Sequence, residues 1–211
     1  MNGVSFNQIH SSRQLGIILG NPEIERPKGK LSYLEIPGKD GALDLSEAFG
    51  ELRFHQRKVI LPFKLRADPN EAEQKISEVS NLLSGKKLKI TLDKDPQYYY
   101  LGRLEVEGKY QHPVCQIIVT ALCDPYKYKR EVTEETFTVN GSLEINLPND
   151  RMTTYPALTT TQSMLITKDD VTYSYGAVSN FITQIPLVFG DNLLTITGNG
   201  IVTFAYQEGS L

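Results

Sequence analysis

Two cysteines, three histidines and a few paired carboxylates are the groups here that chemistry could use. Cys115 and Cys123 share one extended run, His112-Pro-Val-Cys-Gln-Ile-Ile-Val-Thr-Ala-Leu-Cys-Asp124. Eight residues of strand span roughly 26 Å at about 3.3 Å per residue. A disulfide needs Cα atoms within about 7 Å, so the two thiols do not bond to each other inside that strand. Even spacing places both on one face with Ile117, Val119 and Ala121, the position of small buried apolar groups. His10, His55 and His112 are far apart, and none has a second histidine at i+2 or i+4. His112 and Cys115 are oddly spaced and point to opposite faces of a strand, so no zinc ligand set forms along the chain. Asp93 and Asp95 flank Lys94 ahead of Pro96 and read as a surface turn, because a calcium loop needs more oxygen ligands over a longer stretch. Glu134 and Glu135 are adjacent and face apart, whereas glycosidase carboxylates must face each other across a cleft. Neither a Gly-x-x-x-x-Gly-Lys-Ser/Thr loop nor a Gly-x-Ser-x-Gly elbow occurs. The residues predict no catalytic centre, no metal site, no cofactor and no enzyme.

The elements that would position these groups are mostly strands. Val59, Leu61, Phe63 and Leu65 alternate through one run, and Pro62 inside it predicts an edge strand or a bulge. Leu88, Ile90 and Leu92 alternate with Lys87, Lys89 and Thr91, a strand with one wet face. Tyr98 to Val106 continues extended with Gly102 interrupting, and Val114 to Leu122 has the pattern of a more central strand. One helix stands out. Asp68 is its N-cap, Pro69 takes its first position, Ala72, Ile76, Val79, Leu82 and Leu83 form its apolar stripe, and Gly85 stops it. Between Asn21 and Asp44 the chain is rich in Pro, Gly and charge and has no evident core. It reads as an extended arm or hairpin, or as a surface loop.

Beyond Asp124-Pro-Tyr-Lys-Tyr-Lys-Arg-Glu131 the helical pattern ends. Short β runs follow at Phe137–Val139, Leu143–Leu147, Met164–Thr167, Val171–Tyr175, Ile185–Phe189, Leu193–Thr197 and Ile201–Tyr206, a density that predicts a small sandwich. A three-residue turn at Gly198-Asn-Gly200 would set Leu194 opposite Phe204 and Ile196 opposite Val202, with all four on one face. A two-residue turn at Asn140-Gly141 would split its apolar set, so an odd loop matching Val139 to Leu143 is expected there. The many tyrosines, Tyr155 and Tyr173 among them, suit strands and interfaces alike.

Bulk properties narrow the partners. A net charge of −3 over 211 residues carries no basic footprint for a dedicated nucleic-acid binder. Met1-Asn-Gly-Val-Ser-Phe6 lacks the charged and apolar regions of a secretory signal, and no apolar run approaches the roughly 20 residues that cross a bilayer. A soluble chain made in a cytoplasm is expected.

Taken in order, Ile36-Pro-Gly-Lys-Asp-Gly-Ala-Leu-Asp-Leu-Ser46, Arg57-Lys-Val-Ile-Leu-Pro-Phe63, the helix from Glu71 to Ser84, Lys87-Leu-Lys-Ile-Thr-Leu92, Tyr100-Leu-Gly-Arg-Leu104 and Ala121-Leu-Cys-Asp-Pro-Tyr-Lys-Tyr128 resemble the N-terminal part of the distal tail protein family of siphophages and prophages of Gram-positive hosts. Pro186-Leu-Val-Phe-Gly-Asp-Asn192 and Ile196-Thr-Gly-Asn-Gly-Ile-Val-Thr-Phe204 resemble that family's C-terminal ending. The resemblance implies a mainly β chain. A tail-tube-like β-sandwich or split barrel with one helix would occupy residues 1–130, and a galectin-like β-sandwich residues 131–211. It implies a structural subunit of a hexameric ring in the virion tail, assembled in the host bacterial cytoplasm, that joins the tail tube to the tail tip or baseplate. Its partners would be further copies of itself, the tail tube protein, the tape-measure end and the tail-associated fibre or lysin protein. DNA would pass through the channel without specific binding, and no membrane is involved. An extended hairpin in such proteins reaches the neighbouring subunit; here its candidate residues are Ile24, Leu31, Tyr33, Leu34, Ile36, Asp40 and Leu43. The alternative is a carbohydrate-binding module for host adhesion. The second domain is short and carries no inserted module, which weighs against that alternative.

Overall fold

A computed structural model describes residues 3–211; Met1 and Asn2, the start of the segment read above for a secretory signal, lie outside the described residues. The mainly β class with one helix is what the chain adopts. It divides into two compact units, the first running through Lys127 and the second Tyr128–Leu211.

The first unit contains β1 (Val4–Phe6), β2 (Ile9–His10), β3 (Ile18–Leu19), β4 (Glu23–Ile24), β5 (Tyr33–Glu35), β6 (Ala42–Asp44), β7 (Arg57–Arg66), helix α1 (Pro69–Leu83), β8 (Lys87–Leu92), β9 (Tyr98–Gln111) and β10 (Val114–Cys123). Its main sheet has the order β2-β1-β8-β9-β10-β7-β3, and β4 also lies on β7. The core side is set by parity. Val59, Leu61 and Phe63 of β7 and Cys115, Ile117, Val119, Ala121 and Cys123 of β10 are all buried, so both cysteines sit on the apolar face that their spacing predicts. Helix α1 closes this side with Ala72, Val79 and Leu83. Its start is a capping box: the Asp68 carboxylate accepts from the Glu71 amide at 2.9 Å, and the Glu71 carboxylate accepts from the Asp68 amide at 3.2 Å.

Two glycines in β9 are dictated by packing. Gly102 does not interrupt the strand, because β9 runs unbroken and pairs Gly102 with Cys123. A Cβ there would meet the Cys123 sulfur at 2.5 Å and the Leu122 carbonyl at 2.8 Å. At Gly108 it would meet Ile76 of the helix at 2.5 Å, so this glycine lets the helix approach the sheet. Pro62 needs neither an edge nor a bulge, since β7 and β10 stay in register through Ile118↔Pro62. In an antiparallel strand the N and C=O of one residue point to the same side. The Pro62 carbonyl accepts from Gly20 at 2.7 Å, so its missing N–H faces the break between β3 and β4, where no ladder partner is left wanting.

After the connecting β11 (Lys127–Lys129), the second unit contains β12 (Thr133–Asn146), β13 (Ala157–Thr160), β14 (Met164–Lys168), β15 (Val171–Tyr175), β16 (Val178–Ile182), β17 (Leu193–Tyr206) and β18 (Gly209–Ser210). The two turns expected at Asn140-Gly141 and Gly198-Asn-Gly200 do not form. β12 and β17 are single strands of 14 residues paired from Thr133↔Tyr206 to Asn146↔Leu193, with Asn140↔Asn199 and Gly141↔Gly198 directly opposite. The glycines bend the ribbon instead of reversing it: φ is +84° at Gly141, +151° at Gly198 and +134° at Gly200, values that side chains rarely tolerate. One half of β17 pairs β14 and the other half pairs β13. The bent ribbon therefore joins both halves of one six-stranded sheet, of order β15-β14-β17-β13-β16 with β12 on β17, and Val139, Ile145, Ile166, Ile196, Val202 and Phe204 share the core it encloses. Face assignment survives because Leu194, Ile196, Val202 and Phe204 have one parity in a straight strand as well as across an odd-length turn.

The two-residue hairpin of this unit lies elsewhere. Lys168↔Val171 closes on Asp169 and Asp170, with φ of +49° and +63°, the left-handed pair that a type I′ turn needs. Residues 185–189 form no strand, although Ile185 and Leu187 are fully buried. Two buried asparagines hold this segment. Asn192 donates from Nδ2 to the carbonyls of Leu147 and Val188 at 3.1 and 2.9 Å, and its Oδ1 accepts from the Val188 amide at 2.9 Å. Asn149 donates to Met152 and Leu187 at 2.8 and 2.9 Å.

Candidate subunit-interface arm

From Gly20 to Pro62 the chain leaves the first unit's core as a two-stranded ribbon and returns. Its root is the pairing of Glu23 and Ile24 with Ile60 and Val59. Further out, the amide of His55 donates to the Lys28 carbonyl at 2.8 Å and that of Lys30 to the Arg53 carbonyl at 2.7 Å, around the Gly29↔Phe54 bridge. The outer part is the β5–β6 hairpin, with Tyr33↔Asp44, Leu34↔Leu43 and Glu35↔Ala42. Gly38 and Gly41, at φ +81° and +73°, make its turn. Ser46 fastens the base: its Oγ accepts from the Ser32 amide at 2.9 Å, and its own amide donates to Asp44 Oδ1 at 2.9 Å. The bonds from Ser46 hold the Asp44 carboxyl below its ordinary value.

No residue from 21 to 56 is buried. Leu31, Tyr33 and Leu34 are 60%, 59% and 50% exposed, Ile36 and Leu43 are exposed too, and so is Asp40 in the turn. Ile24 differs from the other candidates, since it is half-buried at the root and packs against the core. Phe49, fully exposed in the return segment, was missed because it lies beyond the Asn21–Asp44 stretch that composition marks out. An isolated two-stranded hairpin is marginally stable in water, and this one shows apolar side chains on both faces with no core beneath either.

The remaining candidate chemistry resolves into packing. His10 and Asp93, 83 residues apart, meet with His10 Nε2 at 3.2 Å from each carboxylate oxygen. Ser12 Oγ lies 3.2 Å from His10 Nδ1, a serine–histidine–aspartate line. The same Nδ1 accepts from the backbone amides of Ser12 and Arg13 at 3.2 and 3.3 Å. Its lone pair is thus occupied and cannot take the serine proton, so the imidazole clamps a turn. Burial pushes the Cys123 thiol up to about 12, the opposite of a reactive thiolate. Arg57 is buried beside it, donating from Nε to the Pro125 carbonyl at 2.8 Å and lying over the Tyr100 ring at 5.4 Å; burial lowers its pKa. Among the described residues no three His, Cys, Asp or Glu side chains gather as a metal would require. Of the tyrosines, Tyr99 and Tyr100 are buried, Tyr173 and Tyr175 pack against the second unit's core, and Tyr155 is exposed.

Neither a protein-family model nor a curated protein matches this sequence. Among solved structures, the Dit protein (gp 19.1) of SPP1, described as a paradigm of the hub adsorption apparatus in Gram-positive infecting phages, is similar with a TM-score of 0.70 and 14% identity. The likeness covers 98% of this chain and 99% of that one. From first unit to last strand, the chain has the fold of that phage hub protein.

Proposed function

We propose that this chain is a structural subunit of a phage tail tip, a distal tail protein whose copies close into a ring, six to the ring, between the tail tube and the tip or baseplate. The observation that carries the reading is the fold likeness to the SPP1 hub over nearly the whole of both chains. In it, the domain of residues 1–130 forms the ring, the galectin-like domain of residues 131–211 projects outward, and the ring meets the tail tube, the tape-measure end and the fibre or lysin protein. The arm supports it, because Leu31, Tyr33, Leu34, Ile36, Asp40 and Leu43 on a ribbon without a core gain burial only against another molecule, with Ile24 anchoring the root. A head-to-tail contact of this kind closes into a ring by rotation. The role is assembly in the virion tail, not catalysis. Native mass and negative-stain imaging of the purified chain test it: rings of six times the chain mass are expected, and material that stays monomeric at high concentration overturns the reading.

The exposed Tyr155 keeps one second reading, glycan binding by the C-terminal sandwich. Glycan-array binding by monomer, lost on Tyr155→Ala or Tyr173→Ala, would establish it; a silent array removes it.

A further inference from the structure

The second unit leaves one long strand edge open. The 14 residues of β12 pair, among the described residues, with β17 alone. The sheet's other margins, β15 and β16, are five residues each, and β16 is interrupted by an irregular register and by Asn180 at φ +51°. Residues 202–205 of β17 have β13 on one side and β12 on the other, and Ile201 shows which groups face which. Its carbonyl accepts from the Thr161 amide at 3.0 Å and its amide donates to Thr161 Oγ1 at 2.9 Å, both at the end of β13. Sides alternate along an antiparallel strand, so Gly200, Val202 and Phe204 bond toward their partners Val139, Phe137 and Glu135. The N–H and C=O of Glu134, Thr136 and Thr138 therefore point away from the sheet, along an edge of roughly 20 Å.

Two features of this edge define what fits it. The first is an unfinished core. Phe137 is only half-buried, at the rim of the second unit's core against Phe204, whereas Val139 beside it is covered. A residue opposite Phe137 on an added strand would form the non-hydrogen-bonded pair, in which side chains approach most closely. The second feature is charge. The strands of this sheet carry three carboxylates, Glu134, Glu135 and Glu144, all on β12 and all exposed. Their one cation is Lys168, which is buried and paired with Asp169. Arg130 and Glu131 ahead of β12 add one charge of each sign, and Lys129 is bonded to Glu208. An open edge is a template for pairing. The same edge of a second copy would crowd four carboxylates onto one seven-residue ladder, which like charges resist. A cationic strand meets no such resistance.

We infer that the edge of β12 over residues 133–139 docks an extended, cationic segment of a different polypeptide, added as an antiparallel strand. Glu134, Thr136 and Thr138 supply the ladder. An apolar side chain of the guest lies on Phe137, and lysine or arginine two and three residues further on meets Glu135 and Glu134. The site lies wholly within the second unit and is independent of the ring reading.

The probe is a fluorescently labelled peptide, Thr-Val-Thr-Val-Thr-Lys-Lys, followed by anisotropy against the full chain. Antiparallel pairing sets its second valine opposite Phe137 and its lysines opposite Glu135 and Glu134. Saturable binding by wild type is expected. Thr138→Pro removes an amide that the sheet does not use and should weaken binding about tenfold. Glu134→Lys with Glu135→Lys should weaken it by a similar factor and instead take up a peptide ending in two glutamates. Unchanged urea midpoints confirm that the variants fold; if Thr138→Pro lowers its midpoint, the charge pair decides alone. Equal binding by wild type and a folded Thr138→Pro overturns the edge as the site. A wild-type chain that leaves the peptide free, or takes both peptides equally well, overturns the cationic guest. So does an oligomer of wild type that Thr138→Pro abolishes, which would put a second copy on the edge.

Discussion

Two long antiparallel ribbons in this chain are built from the same materials and meet opposite fates. Both contain glycines at positive φ, and both have apolar residues alternating with polar ones. In β12/β17 the apolar side chains of one parity enter a closed core, with Phe204 and Ile196 fully buried and Phe137 edge-on to Phe204 at 6.4 Å. In the ribbon spanning 21–56 the backbone is also paired, at the root, at the Gly29↔Phe54 bridge and in the β5–β6 hairpin, yet no side chain is buried. Backbone pairing is common to both, so it is not what separates a domain from an appendage. Burial of about 25 cal/mol per Å² of apolar surface is, and the arm has yet to collect it.

The contrast can be broken or sharpened by mutation. Phe204→Ala leaves a cavity in the core that the bent ribbon encloses, and a loss of about 3–5 kcal/mol is expected, read by urea unfolding of the second unit. Gly200→Val adds both strain and a clash, because a Cβ there meets Thr161 Oγ1 at 2.6 Å at φ +134°; about 1–3 kcal/mol should be lost in the same measurement. In the first unit, Asp68→Ala removes the N-cap at a cost of about 1 kcal/mol, seen as a lower urea midpoint with unchanged slope. Acid acts on the second unit through Glu208. Burial raises its pKa, but hydrogen bonds from Lys129 and Thr133 outweigh that and hold it below the ordinary 4.5. Its contribution is therefore complete above 4.5 and is lost as pH falls from there through the lower folded value. Glu208→Gln should flatten the stability–pH curve in that window alone. Smallest of all is Leu34→Ser with Leu43→Ser, which should move the monomer's stability by less than about 0.5 kcal/mol while weakening assembly. A loss comparable to that of Phe204→Ala would mean that the arm is held by its own chain, and the contrast would be gone.

Local signals were legible where the fold obeyed them. Asp68-Pro69 and the stripe from Ala72 to Leu83 gave the helix and its buried side, and parity placed Cys115 through Cys123 on the core face. The absence of a core between Asn21 and Asp44 could be read from composition alone, though the return segment through Phe49 could not. The Asn-Gly signals at 140 and 199 misled because a bend and a reversal want the same residues. The splitting of Phe137 and Val139 from their would-be partners excludes a two-residue turn there, but an odd-length turn and the unbroken strand both leave Phe137, Val139, Leu143 and Ile145 on one face, so parity alone does not separate the two. Ile185 to Phe189 looked like a strand because it is apolar, whereas its backbone is held by Asn149 and Asn192. The His10–Asp93 contact left no trace, as nothing in sequence spacing reports a meeting of residues 83 apart.

The shared ribbon has a consequence for how the second unit comes apart. Since β12 and β17 run through both halves of the six-stranded sheet, neither half can open while the other stays closed, as neither page of a bound leaflet survives removal of its stitching. Slow amide hydrogens on β13 and on β14, in the two halves of that sheet, should then exchange through a single global opening.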